Sequence, residues 1–75
     1  MPNPTAAMLV IGDEILSGRT RDANMHRLAI ELTAAGVDLT EARVVSDNAD
    51  AIVAAVQSLS KSHAYVFTSG GIGPT

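Results

Sequence analysis

Residues 6–11 read Ala-Ala-Met-Leu-Val-Ile, six apolar side chains with no polar alternation, halted by Gly12. A strand with one wet face alternates apolar and polar residues, so an unbroken run bounded by glycine predicts a strand covered on both faces. Such a strand belongs at the centre of a parallel sheet with helices above and below it, which excludes most all-β and all-α arrangements. At six residues the run is also far too short to span a membrane, and no basic leader precedes it.

The period changes after residue 22. Met25, Leu28, Ala29 and Leu32 fall at i, i+3, i+4 and i+7, the spacing that gathers side chains on one face of a helix. Asp22 is a candidate N-cap, and Gly36 is placed to take the left-handed conformation that ends a helix. All four apolar residues, Met25 included, are expected in the core. From Val37 to Val45 the apolar phase slips: Val37 and Leu39 share one face, Ala42 and Val44 the other. Either a bulge near Thr40 and Glu41 or a loop followed by a short strand accounts for the slip. Ser46-Asp47-Asn48 then offers cap residues before Ile52, Ala55, Val56 and Leu59, a second helical stripe. Ser60-Lys61-Ser62-His63 is expected to end that helix. A third strand is expected over residues 64–68, followed by the loop Ser69-Gly70-Gly71-Ile72-Gly73-Pro74-Thr75.

Strand, helix, strand, helix, strand is the order of an α/β layered domain with parallel strands and right-handed crossovers. Two helices do not suffice to bury both faces of three strands, so the 75 residues are expected to be the N-terminal part of a single larger domain that appears truncated after Thr75. Composition narrows the functional classes. Five Lys and Arg against eight Asp and Glu give a net charge of -3, which argues against nucleic acid or an anionic membrane as partner. One Tyr and one Phe cannot build a base-stacking platform. At 47% apolar the chain is too hydrophobic for disorder, and with no cysteine it has neither disulfides nor a thiolate metal site. A cytoplasmic location is expected, with a small molecule as partner and a homo-oligomer as the assembled form.

Ligands of open parallel sheets bind beyond the carboxyl ends of the strands. Three loops fall there: residues 12–20, residues 46–48 and residues 69–75. In the third, glycines allow consecutive N–H groups to approach an anion, with Thr68, Ser69 and Thr75 adding hydroxyls. Its spacing is neither a dinucleotide fingerprint nor a Walker loop, and the residues alone leave an anion cradle and an ordinary glycine turn equally open. Asp13 and Glu14 are adjacent, so at a strand end only one is expected to face the ligand edge. A carboxylate beside a phosphate cradle suits Mg²⁺, which takes carboxylate and phosphate oxygens, whereas a solvated turn acid is the plainer reading. Asp47 is either a helix cap or, if Ser46 or Asn48 caps instead, available to metal or ligand. Arg19 and Arg21 are phosphate partners or a solvated basic pair, and Asn24 is a loop brace or a ligand contact. His26 and His63 lack partners at ligand spacing and are expected at the surface or the core edge.

Ile11-Gly12-Asp13-Glu14-Ile15-Leu16-Ser17-Gly18, then Asp22-Ala23-Asn24, Val45-Ser46-Asp47-Asn48 and Thr68-Ser69-Gly70-Gly71-Ile72-Gly73-Pro74-Thr75 together resemble the molybdopterin-binding (MoaB/Mog-like) domain family. The first of these strings looks most like the branch typified by the N-terminal domain of the competence/damage-inducible protein CinA. The resemblance implies a three-layer α/β/α sandwich with a mostly parallel sheet. It also implies one of three roles for the full-length protein: metal-dependent pyrophosphatase action on ADP-ribose, molybdenum cofactor biosynthesis (molybdopterin binding, adenylylation or molybdate insertion), or non-catalytic nucleotide binding. Carried over by position, Gly12, Asp13, Glu14, Ser17, Gly18, Asn24, Ser69, Gly70, Gly71, Gly73, Pro74 and Thr75 are candidate ligand contacts. Asp47 is the candidate catalytic residue, and Asp13 and Asp47 are candidate ligands of Mg²⁺ or another divalent cation. Ser69 replaces the usual threonine of the family and keeps its hydroxyl. The family motif continues into an acidic segment that this sequence does not include.

Overall fold

A computed structural model describes residues 2–19 and 24–70. Strand β1 spans Thr5–Ile11, α1 Asp13–Leu16, α2 Asn24–Ala34, β2 Asp38–Val45, α3 Ala49–Ser62 and β3 Tyr65–Gly70. The strands form one parallel sheet in the order β2-β1-β3. The apolar run therefore lies at the centre, and every residue from Ala6 to Ile11 is buried.

Alternation along β1 feeds two different layers. Ala7, Leu9 and Ile11 pack with Ala55 and Leu59 of α3, and Val45, Ile52, Val56 and Val66 close the edges of that cluster. Leu9 and Leu59 are fully buried at its centre. The opposite face, carrying Met8, turns toward α2, whose Leu32 is buried. Helices on opposite faces follow from the strand order: the chain crosses from β1 out to β2 and then back past β1 to β3, and crossovers of one hand in opposite directions use opposite faces. The architecture is the α/β layering that the sequence predicts.

The phase slip resolves as a bulge. Ala6 pairs with Leu39 and Ala7 with Glu41, so Thr40 is the extra residue. Beyond it Ala42 and Val44 lie opposite Met8 and Val10, the same face of the sheet as Leu39 opposite Ala6. Gly36 ends α2 with φ +82°, and the Val37 N–H donates back to the Leu32 carbonyl at 2.9 Å, as a left-handed helix end allows.

Four details differ from the sequence reading. Residues 13–16 form the short helix α1 inside what reads as a loop. Helix α3 runs on through Ser62, because Ser60, Lys61 and Ser62 are on its solvent face; the Ser60 hydroxyl is absorbed by the Val56 carbonyl at 2.6 Å. Strand β3 starts at Tyr65 and extends through Ser69 to Gly70, which pairs with Ile11. Met25 is 43% exposed rather than core. It sits in the first turn of α2, level with Ser69, where strand surface to cover it is running out. The proposed Asp22 cap lies outside the described residues.

Candidate functional site

The strand order β2-β1-β3 places a topological switch at the carboxyl ends of β1 and β3, the position at which open α/β sheets bind ligands. The candidate residues converge there by connections that the structure shows directly. The Gly12 N–H donates to the Val45 carbonyl at 3.0 Å, joining the residue that follows β1 to the last residue of β2. That bond brings Asp13, at the start of α1, and the segment after β2 that holds Asp47 to the same edge of the sheet. From the other side, Asn24 Nδ2 donates to Ser69 Oγ at 3.0 Å, joining the start of α2 to the end of β3 across 45 residues of sequence.

Each residue has a local reason for its place. Gly12 is buried and extended. A methyl group added there would meet Glu14 Oε1 at 2.6 Å, so the Glu14 carboxylate folds back over Gly12, whereas Asp13 is exposed one residue earlier on α1. The Ser17 hydroxyl donates to the Glu14 carbonyl at 3.2 Å and accepts from Arg19 Nε at 3.0 Å, closing the turn after α1. Gly18 follows with φ +80° and open space around it.

Asn48 caps α3: its side chain accepts from the Ala51 N–H at 3.1 Å. The Asp47 carboxylate is thus not spent on capping and stands exposed at the edge. Gly70 takes φ +83°, and a Cβ there would collide with the Ile11 carbonyl oxygen. Only glycine lets β3 stay paired with β1 to its last residue. Gly71, Gly73, Pro74 and Thr75 lie outside the described residues, as does Arg21.

One feature was not foreseen. A cleft of about 280 Å³ runs down from the Asn24–Ser69 bond, lined by Met8, Leu28 and Phe67 with Arg27 and Glu31 at its rim. Asn24, Arg27, Leu28 and Glu31 recur at helical spacing along α2, the sequence signal that would have found its wall. The Arg27–Glu31 ion pair at 4.0 Å is largely exposed and adds little to stability.

His26 is exposed. His63 caps α3 with its ring largely buried, Nδ1 2.9 Å from the Leu59 carbonyl and Nε2 3.6 Å from Glu41 Oε1. Glu41 also pairs with Arg43 at 2.7 Å. This group lies on the α3 face, where α3 leads into the first residue of β3, away from the candidate site.

Among the described residues, no group of three His, Asp or Glu side chains is placed to hold a metal ion. Asp13, Glu14 and Asp47 at this edge are carboxylates of the kind Mg²⁺ takes as ligands when phosphate oxygens and water complete its shell.

The described residues make this chain an α/β domain with a parallel sheet, carrying carboxylates and hydroxyls at the carboxyl edge. Residues 7–75 match the model of a family described as "Probable molybdopterin binding domain", and the chain belongs to that family. It is 52% identical over 71 residues to a Caenorhabditis elegans protein named "Probable FAD synthase", an alignment that covers 95% of this chain and 14% of that protein. It is 38% identical over 69 residues to a CinA-like protein of Geobacter metallireducens, covering 92% of this chain and 17% of that protein. A crystal structure of the protein CinA, described as of unknown function, from Thermoplasma acidophilum superposes with a TM-score of 0.90 at 33% identity, covering all of this chain and 44% of that one. The likeness to CinA-like proteins and the parallel α/β fold expected from the sequence are both borne out. The chain spans only 14% and 17% of the two curated relatives. No helix among the described residues is long and apolar enough to cross a membrane.

Proposed function

We propose that the carboxyl edge of this sheet binds a diphosphate-linked nucleotide, and that the full-length protein hydrolyses ADP-ribose with the help of Mg²⁺ or another divalent cation. The placement of Asp13, Ser69 and Gly70 at the carboxyl ends of β1 and β3, with Asp47 beyond the neighbouring end of β2, supports this reading. One relative's name supports it in one respect: FAD, like ADP-ribose, carries an adenylate joined to a second organic group through a diphosphate.

In this reading water attacks one phosphorus, the P–O–P bond breaks, and AMP and ribose phosphate leave. Asp13 or Asp47 would hold a divalent cation together with substrate phosphates, and that ion would supply charge neutralisation and a more acidic water. The backbone N–H groups of Gly70, Gly71 and Gly73 and the Ser69 hydroxyl bind phosphate oxygens as charge develops on them. Asp47 orients the attacking water. Through its bond to Val45, Gly12 ties the start of α1, which carries Asp13, to the end of β2, which Asp47 follows, and Gly18, Ser17 and Glu14 shape the near wall. Pro74 and Thr75 complete the set, and Asn24 braces Ser69.

The family description favours a second reading, in which the same groups hold the phosphate of molybdopterin for adenylylation or molybdate insertion. A non-catalytic nucleotide-binding module is the third.

Incubating the complete gene product with ADP-ribose and Mg²⁺ separates them. The expected result is release of AMP and ribose phosphate by wild type, with turnover lost and much of the binding kept in Asp47→Asn. A folded wild-type protein that leaves ADP-ribose intact would overturn the pyrophosphatase reading. Unchanged turnover in Asp47→Asn would remove Asp47 from the chemistry.

A further inference from the structure

A serine hydroxyl has one proton to give and two lone pairs to receive. At the end of β3 the Ser69 oxygen already receives: Asn24 Nδ2, which can only donate, lies 3.0 Å away. We infer that Asn24 is a positioning residue for anion recognition, occupying a lone pair of Ser69 Oγ so that the hydroxyl proton is left for a phosphate oxygen. The inference rests on the proposed anion site and assigns a division of labour within it. Ser69 touches the ligand, and Asn24 acts through Ser69.

The placement supports this division. Ser69 is half-buried, opposite Val10 in the β1–β3 register, and directly precedes Gly70. Its backbone is held by the sheet, so the side chain is the adjustable part. Asn24 is the first residue of α2, and its bond to Ser69 crosses from one layer to the other at the carboxyl edge. An uncommitted serine hydroxyl can satisfy itself on a nearby carbonyl instead of waiting for a ligand. Filling one lone pair with an amide donor biases its proton outward, at little reorganisation cost when an anion arrives.

The test is a double-mutant cycle on the complete gene product. Binding of inorganic pyrophosphate is measured calorimetrically, with melting temperature recorded for each variant. Ser69→Ala is expected to weaken binding on the order of tenfold, and Asn24→Ala roughly threefold. Adding Asn24→Ala to Ser69→Ala is expected to change nothing further, because the residue through which Asn24 acts has gone. For a substrate that is turned over, Asn24→Ala raises KM with kcat little changed. Losses that multiply in the double variant would overturn the inference, since Asn24 would then act independently. A lowered melting temperature with unchanged pyrophosphate affinity would overturn it as well, leaving a purely structural bond. Failure of wild type to bind pyrophosphate also ends it. Pyrophosphate binding that follows the cycle without ADP-ribose turnover keeps the inference and refutes the proposed reaction instead.

Discussion

Gly70 and Gly36 provide a controlled comparison within one chain. Their φ angles are +83° and +82°, so an alanine at either suffers the same backbone strain, about 1–2 kcal/mol. Their surroundings differ. Nothing lies within 4 Å of a Cβ built on Gly36, whereas a Cβ on Gly70 overlaps the Ile11 carbonyl oxygen. Ile11 is the register partner of Gly70 on the last rung of the β1–β3 ladder. Relief requires that rung to separate, with the loss of one or two hydrogen bonds worth about 0.5–1.5 kcal/mol each. Gly70→Ala is therefore expected to cost about 1.5–5 kcal/mol and Gly36→Ala about 1–2 kcal/mol. Urea denaturation of the complete gene product, followed by far-ultraviolet circular dichroism, reads the difference. Equal losses for the two variants would refute the collision argument. A functional consequence follows, because the rung that separates carries the start of the glycine loop: Gly70→Ala weakens pyrophosphate binding, and Gly36→Ala does not.

Two further substitutions test the packing and the cap. Asn48→Ala is expected to destabilise by about 1 kcal/mol through loss of the α3 cap, while Asp47→Ala stays within about 0.5 kcal/mol; the same urea titration checks both, and a larger loss at Asp47 would reassign the cap. Leu59 is fully buried against β1, so Leu59→Ala is expected to cost about 2–5 kcal/mol, whereas a loss below about 1 kcal/mol would show that α3 does not close the core.

Much of the fold was legible in short patterns. The apolar run of β1 marked a strand buried on both faces, the Leu39-to-Ala42 phase slip narrowed that stretch to a bulge near Thr40 and Glu41 or a loop before a short strand, and the Ile52-Ala55-Val56-Leu59 stripe marked the face of α3 that packs on β1. Helix α1 was not legible, because four residues are too few to establish a period. The true end of α3 was hidden because Ser-Lys-Ser serves equally as a helix breaker and as the solvent face of a helix. Asn48 could be told from Asp47 as the cap only by the direction of its side chain.

At the site, the glycine loop and the neighbouring carboxylates were visible, since each lies in one contiguous segment. The Asn24–Ser69 pairing was not. It joins residues brought together only when α2 and β3 meet at the same edge of the sheet, and no local pattern encodes that meeting.

The central claim is that the carboxyl edge between β1 and β3 holds the diphosphate. Titrating the isotope-labelled complete gene product with ADP-ribose and Mg²⁺, and following its backbone amide resonances, tests this directly. The account predicts that the largest shifts fall at Gly12, Asp13, Asp47, Ser69 and Gly70. Shifts centred on Asp38, His63 and Ala64 at the opposite end of the sheet, or none at saturating ligand, would contradict it.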